Sequence, residues 1–130
     1  MRKEIAEKWV AALRSGEYEQ TVGYLQTEHG HCCLGVLCDL HLRETGRGGW
    51  RPPGSGDSPH TRCYRDDLGV YGEYTPPVGV RRWADMEEDP CIQVQHSNGA
   101  VSAKEIVQLN DHGFSFAQLA DLIEEQWESL

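Results

Sequence analysis

The chain has 130 residues, of which 38% are hydrophobic and 25% charged, and its formal net charge is −9. A chain of this length is expected to fold as one domain over 1–130, and no run approaches the roughly 18 apolar residues that span a bilayer. The acidic balance argues against a protein that coats nucleic acid, because such binding depends on many Lys and Arg contacts to phosphates. Charged opening residues without an apolar stretch favour the cytoplasm, where the five cysteines should stay reduced.

The first 33 residues predict a helix followed by a hairpin. Apolar residues at helical spacing predict a helix over 2–15, which the Ser15-Gly16 pair ends. Residues 21–26 are a strand candidate, and a turn at 27–30 leads to a second short strand at 31–33.

The stretch CCLGVLCDLHL at 32–42 is apolar at nearly every position, with Asp39 as its only charge. A helix that is apolar all round is buried. We therefore expect a central helix over 32–45, entered near Gly35 and closed by Thr45-Gly46, which the other amphipathic segments cover.

The middle of the chain is irregular in composition. Glycine and proline dominate 46–60, which predicts a long surface loop, and 61–75 is expected to be extended or irregular. Pro76-Pro77 is expected to open a short helix over 76–84. Alternation from Cys91 to His96, followed by Asn98-Gly99, indicates a strand and a tight turn.

Two capping boxes predict the C-terminal helices. Ser102 with Glu105 predicts a helix that begins near Ala103, and Ser115 with Gln118 predicts one that begins near Phe116. The whole pattern predicts an α+β domain, mainly helical around the central helix, with a small antiparallel sheet formed from residues 21–33 and 92–101.

Three segments carry a recognisable pattern, namely HCCLGVLCDL at 31–40, PPVGVRRWA at 76–84 and LNDHGFSFAQLADLIEE at 109–125. Together with an opening of the form WVxALRSGxYxQ at 9–20, the pattern resembles a family of small, mostly uncharacterised bacteriophage and prophage proteins. The ending departs from that pattern at Leu119, where isoleucine is expected. The resemblance implies a phage origin and no established biochemical activity, so the functional residues are inferred from the sequence itself.

The histidines and cysteines between 29 and 41 suit zinc by type but not by spacing. No C-x₂-C pair occurs, and adjacent Cys32 and Cys33 would point to opposite sides of a strand. Either cysteine, near a helix N-terminus, is also a candidate nucleophile, with His112 or His96 as base and Asn110 as orienter. The apolar neighbours favour buried core cysteines over both readings, and we expect no metal and no cofactor.

Residues 43–82 hold seven arginines and no lysine. The planar guanidinium group donates two parallel hydrogen bonds to a phosphate or carboxylate, and aromatic rings can stack on a base. The alternative is that these are ordinary surface arginines above packed aromatic rings. The candidate ligand-binding residues are Arg81, Arg82, Arg65, Arg62, Tyr64, Tyr71 and Trp83.

Three functional hypotheses follow. The first is a non-enzymatic phage protein that sequesters an anionic small molecule, such as a nucleotide signal of host immunity. We expect its site at a subunit interface of a homo-oligomer, between the 46–75 loop and the 76–84 helix. The second is an antagonist of a host protein that uses the acidic C-terminal helix, and the third is a cysteine hydrolase.

Overall fold

The computed structural model describes residues 1–51 and 60–130. Within these residues the helices are α1 (Lys3–Arg14), α2 (Cys33–Thr45), α3 (Val78–Ala84), α4 (Ile106–Asp111) and α5 (Phe116–Gln126), with a 3₁₀ turn at Trp127–Ser129. The strands are β1 (Gln26–Thr27), β2 (Gly30–His31), β3 (Gly49–Arg51), β4 (Thr61–Arg65), β5 (Tyr71–Gly72), β6 (Cys91–Gln95) and β7 (Val101–Glu105). This is the expected α+β architecture. In the described part of the chain, no helix is both long enough and apolar enough to cross a membrane.

Helix α2 lies at the centre of the core, as predicted. It begins at Cys33, one residue after the predicted start at 32, because Cys32 is the N-cap: its sulfur accepts a hydrogen bond from the Gly35 N–H at 3.4 Å. Gly46 ends the helix in the left-handed conformation, with φ of 62°. Helix α1 packs against both α2 and α5, and the Trp9 indole N–H donates to the Cys33 carbonyl at 2.9 Å.

The strands form two separate sheets, so the single sheet predicted from 21–33 and 92–101 is wrong. The larger sheet is antiparallel with the order β2-β1-β4-β3, and β5 also pairs with β4. The smaller sheet is the β6–β7 hairpin. Strand β1 pairs with β4 through Gln26 and Arg62, and β4 lies in the segment 61–75 that was expected to be extended or irregular.

Several predicted boundaries also change. Strand β3 lies inside the predicted 46–60 loop, because pairing with β4 overrides its glycine content. The rest of that loop, 52–59, lies outside the described residues. Strand β1 covers only the end of the predicted 21–26 strand, and β2 ends at His31 because Cys32 is the helix cap. Helix α3 begins just after the prolines, with Pro77 as its N-cap.

One of the two predicted capping boxes is present. The Ser115 hydroxyl accepts from the Gln118 N–H at 3.1 Å, and the Gln118 side chain accepts from the Ser115 N–H at 2.9 Å. The Ser102 box is wrong, because Ser102 lies in β7 and helix α4 begins only at Ile106. There the Ser102 hydroxyl bonds instead to His96 Nε2 at 2.7 Å, so pairing with β6 replaces the local helix signal.

Candidate functional site

The register of β3 and β4 determines which arginines share a face of the larger sheet. Gly49 lies opposite Arg65, and Arg51 lies opposite Cys63. Directly opposite residues of an antiparallel pair project to the same face, as do alternate residues of one strand. Arg51 and Arg65 therefore project from one face, whereas Tyr64 between them projects from the other and is fully buried.

A cavity of about 290 Å³ lies beside this face. We call it the arginine cavity, and it is lined by Arg47, Gly48, Arg51, Arg65, Asp66 and Asp67. Arg47 reaches it because Gly46 turns the chain out of α2 and the Thr45 hydroxyl accepts from the Arg47 N–H at 3.1 Å. The end of the central helix and two strands thus supply the three guanidinium groups.

Within residues 1–51 and 60–130, these three arginines form no ion pair. Other arginines of the chain do pair, since Arg2 contacts Glu4, Arg14 contacts Asp121 and Glu124, and Arg43 contacts Asp39 and Glu17. The only described side-chain hydrogen bond among the three runs from Arg51 to the Trp50 carbonyl at 3.4 Å. Most of their donors therefore remain available to an anion.

Asp66 fixes the part of the cavity wall that directly follows β4. Its side chain is buried, and its two oxygens accept three backbone N–H groups, from Leu68 at 2.9 Å, Val70 at 2.8 Å and Gly79 at 2.7 Å. One carboxylate therefore stabilises the turn between β4 and β5 and also satisfies a free donor at the start of α3. A side chain on Gly79 would overlap both Asp66 and Asp67, so glycine is required at this contact.

Beneath the cavity, a buried histidine links two further side chains. His41 Nδ1 lies 2.6 Å from the Tyr64 hydroxyl, and His41 Nε2 lies 3.6 Å from Asp67 Oδ1. Burial lowers the pKa of His41, against the opposing effect of Asp67 and Asp66. Burial also raises the pKa of Tyr64 above its ordinary value, so this hydroxyl remains protonated. This arrangement holds Asp67 at the edge of the cavity, with 35% of its side chain exposed.

The structure brings only some of the predicted ligand-binding residues together. Arg65 lines the arginine cavity, and Tyr71 lies directly opposite Arg65 on β5. The ring of Tyr64 is buried in the core and is not accessible for stacking. Arg62, three residues before Arg65, projects from the opposite face and lines a different cleft that contains Tyr18.

The remaining three candidates lie on α3 and do not line the cavity. Arg81 Nε donates to the Pro76 carbonyl at 3.3 Å, and Arg82 is exposed. Trp83 is half-buried and packs edge-on against His41, with ring centroids 5.2 Å apart. The predicted set also omitted the two arginines of the cavity wall, Arg47 and Arg51. Arg47 lies just before strand β3 and Arg51 lies within it, and the glycine content of this stretch concealed the strand.

The cysteine candidates are packed in the core. Cys32, Cys33 and Cys38 are fully buried, and burial raises the pKa of Cys32 to about 11 and the pKa values of the other two well above 9.0. Asn110, the proposed orienter, instead accepts from the Cys33 N–H at 3.1 Å and donates to the Thr21 carbonyl. Among the described residues, no group of three or more His, Cys, Asp or Glu side chains is arranged to hold a metal ion.

The acidic helix α5 is partly neutralised within the chain. The Arg14 guanidinium donates to Asp121 and to Glu124, each at 2.6 Å. These bonds join α1 to α5, so two of the outward carboxylates serve the packing of the domain. Glu125 on α5 and Glu128 in the 3₁₀ turn that follows it are exposed.

The fold and the site thus define the class of the protein as an α+β domain with an arginine-lined cavity. A family model matches residues 1–127, and the chain belongs to that family, which is described as a domain of unknown function (DUF8296). No curated protein matches the chain. No solved structure matches it either.

Proposed function

We propose that the protein binds an anionic small molecule in the arginine cavity and acts by sequestering it, without a chemical step. The observation that carries this proposal is the convergence of three guanidinium groups, which form no ion pair within the described residues, on one cavity of about 290 Å³. A guanidinium group binds phosphate or carboxylate through two parallel hydrogen bonds and stays charged at any physiological pH.

The expected affinity is moderate and depends on salt. A hydrogen bond to a charged group contributes about 1.5–3 kcal/mol when it is shielded from water. Arg47, Arg51 and Arg65 are exposed, so solvent and salt weaken each contribution. Asp67 also faces the cavity, and its carboxylate repels an anion placed close to it.

We extend the proposal to a nucleotide signal of host immunity. A phage protein in the host cytoplasm that binds this nucleotide would lower its free concentration. The phage resemblance of the sequence supports this extension, together with the suitability of guanidinium groups for phosphate. Burial of Cys32 and Cys33, with their raised pKa values, disfavours a thiolate nucleophile. The pairing of Asp121 and Glu124 with Arg14 likewise disfavours a purely acidic docking helix.

A single chain supplies all three arginines of the cavity. The homo-oligomer expected from the sequence stays a prediction, and sedimentation equilibrium of the purified protein tests it.

Isothermal titration calorimetry tests the proposed function. The titrants are inorganic phosphate, nucleoside mono-, di- and triphosphates, cyclic dinucleotides and ADP-ribose, in a low-salt buffer free of phosphate. The variant Arg51→Ala/Arg65→Ala is compared with Arg81→Ala/Arg82→Ala, which removes the same charge from α3. We expect the parent and the α3 variant to bind at least one anion and the cavity variant to lose at least tenfold in affinity.

The comparison of the cavity variant with the α3 variant also distinguishes two positions for the site, the arginine cavity and helix α3. Loss of binding in the α3 variant alone would favour the helix that the sequence suggested and contradict the cavity. If the parent binds no anion of the panel, the proposed function is wrong.

A further inference from the structure

We infer that the ligand of the arginine cavity is a nucleotide with a single base and a single phosphate group, and that the base stacks on Tyr71. This inference rests on the proposed function and names the ligand class of the same site. Three observations carry it, namely the position of Tyr71 in the sheet, the volume of the cavity and the charge of its lining.

Tyr71 is the aromatic residue that the sheet register places next to a cavity arginine. It lies directly opposite Arg65, so the two side chains project from the same face, with Cβ atoms about 4.5–5.5 Å apart. Gly49 flanks Arg65 on the other side and adds no side chain. A phosphate bound to Arg65 therefore has an aromatic ring within reach of its nucleoside.

The Tyr71 ring is available for stacking. The residue is 58% exposed, and in residues 1–51 and 60–130 no aromatic ring packs against it. The other exposed tyrosine of this segment, Tyr74, packs against Tyr24 with ring centroids 5.0 Å apart. An exposed ring next to a cation is the arrangement on which a base stacks without sequence-specific contacts.

Volume and charge both favour a small nucleotide. Small-molecule sites usually enclose about 300–1,000 Å³, so a cavity of about 290 Å³ suits one phosphate with part of a sugar and leaves the base outside, over Tyr71. The lining carries three arginines and two aspartates, a formal charge of +1. This charge is closer in magnitude to that of one phosphate monoester, about −2 at pH 7, than to the larger negative charge of a triphosphate.

The test compares AMP, GMP, CMP and UMP with inorganic phosphate, by calorimetry on the full chain. We expect the parent to bind at least one mononucleotide more tightly than phosphate. Tyr71→Ala should weaken mononucleotide binding about 5- to 140-fold, the range expected for one stacked base, and should leave phosphate binding unchanged. Tyr71→Phe keeps the ring and should bind as the parent does, and Tyr74→Ala is the matched control on a neighbouring exposed tyrosine. Circular dichroism confirms that each variant folds.

The outcomes separate the two proposals. If Tyr71→Ala binds mononucleotides as the parent does while Arg51→Ala/Arg65→Ala loses phosphate, the nucleotide inference is wrong and the anion site stands. Tighter binding of a cyclic dinucleotide than of every mononucleotide would also overturn the inference. If the parent binds neither phosphate nor any nucleotide, both proposals are wrong.

Discussion

Replacement of Asp66 by alanine should destabilise the fold more than replacement of any neighbouring acid. The buried carboxylate accepts backbone N–H groups from Leu68, Val70 and Gly79 at 2.7–2.9 Å. Each hydrogen bond to a charged group contributes about 1.5–3 kcal/mol, and each buried donor left unpaired costs about 1–3 kcal/mol. Water can reach the exposed Leu68 and Val70, whereas Gly79 is buried and would remain unpaired.

Because water replaces the bonds to Leu68 and Val70, the loss is dominated by the bond to Gly79 and the donor that it leaves unpaired. We expect Asp66→Ala to lower the free energy of unfolding by about 3–5 kcal/mol, a large part of the 5–15 kcal/mol typical of a domain. The corresponding fall in Tm is about 10–20 °C for a chain of this size. Asp66→Asn keeps one acceptor oxygen and should fall between the parent and the alanine variant.

Urea denaturation followed by tryptophan fluorescence, together with calorimetry, measures both quantities. Asp67→Ala is the matched control, because its carboxylate is partly exposed and its described contact, to His41, is 3.6 Å long. We expect it to cost less than about 1 kcal/mol. Equal losses for the two variants, or a loss below about 1 kcal/mol for Asp66→Ala, would refute the role given to Asp66.

Three further predictions concern the core. Gly35→Ala places a methyl group on the Leu25 carbonyl oxygen, and overpacking of this kind costs about 1–3 kcal/mol. This cost should outweigh the better helix propensity of alanine, so urea denaturation should show a lower free energy of unfolding. Burial holds the pKa of His41 below its unfolded value of 6.5. The contribution of the neutral histidine to the free energy of unfolding should therefore be fully present above pH 6.5 and decline as the pH falls toward the folded-state pKa. His41→Gln should reduce the slope of stability against pH, and an unchanged slope would contradict this role of His41. His31, whose pKa burial also lowers, contributes to the same slope. Iodoacetamide should label the partly exposed Cys91 in the native protein and leave the fully buried cysteines unmodified until denaturant is added. Rapid labelling of Cys32 or Cys33 in the native protein would instead support the hydrolase hypothesis.

Local signals predicted the structure well where no distant partner competes. The Ser115 box and the apolar run of α2 are both local signals, and the structure has a helix at each of them. Ser102 carries the same type of signal, yet the chain there pairs with β6 over five residues and the helix begins only after that strand ends. A capping box competes with strand pairing, and the sequence does not show the strength of the pairing.

The candidate site was predicted in composition but not in geometry. The excess of arginine in residues 43–82 is real, but the side chains divide between the two faces of β4 according to register. Arg62 and Arg65 are separated for this reason, and Arg51 joins Arg65 through a strand that its glycine and proline neighbours disguised. The turn chemistry of Asp66, with Gly69 three residues later, was the available signal for the cavity wall.

The most direct test of the central claim is an NMR titration that follows the arginine Nε–Hε resonances of the ¹⁵N-labelled protein. Single Arg→Lys variants assign the signals of Arg47, Arg51 and Arg65, and those of Arg81 and Arg82 as controls. On addition of inorganic phosphate, and then of a mononucleotide, we predict saturable shifts at the three cavity arginines and none at the two on α3. Saturable shifts confined to Arg81 and Arg82, or no saturable shift at any arginine, would contradict an anion site in the arginine cavity.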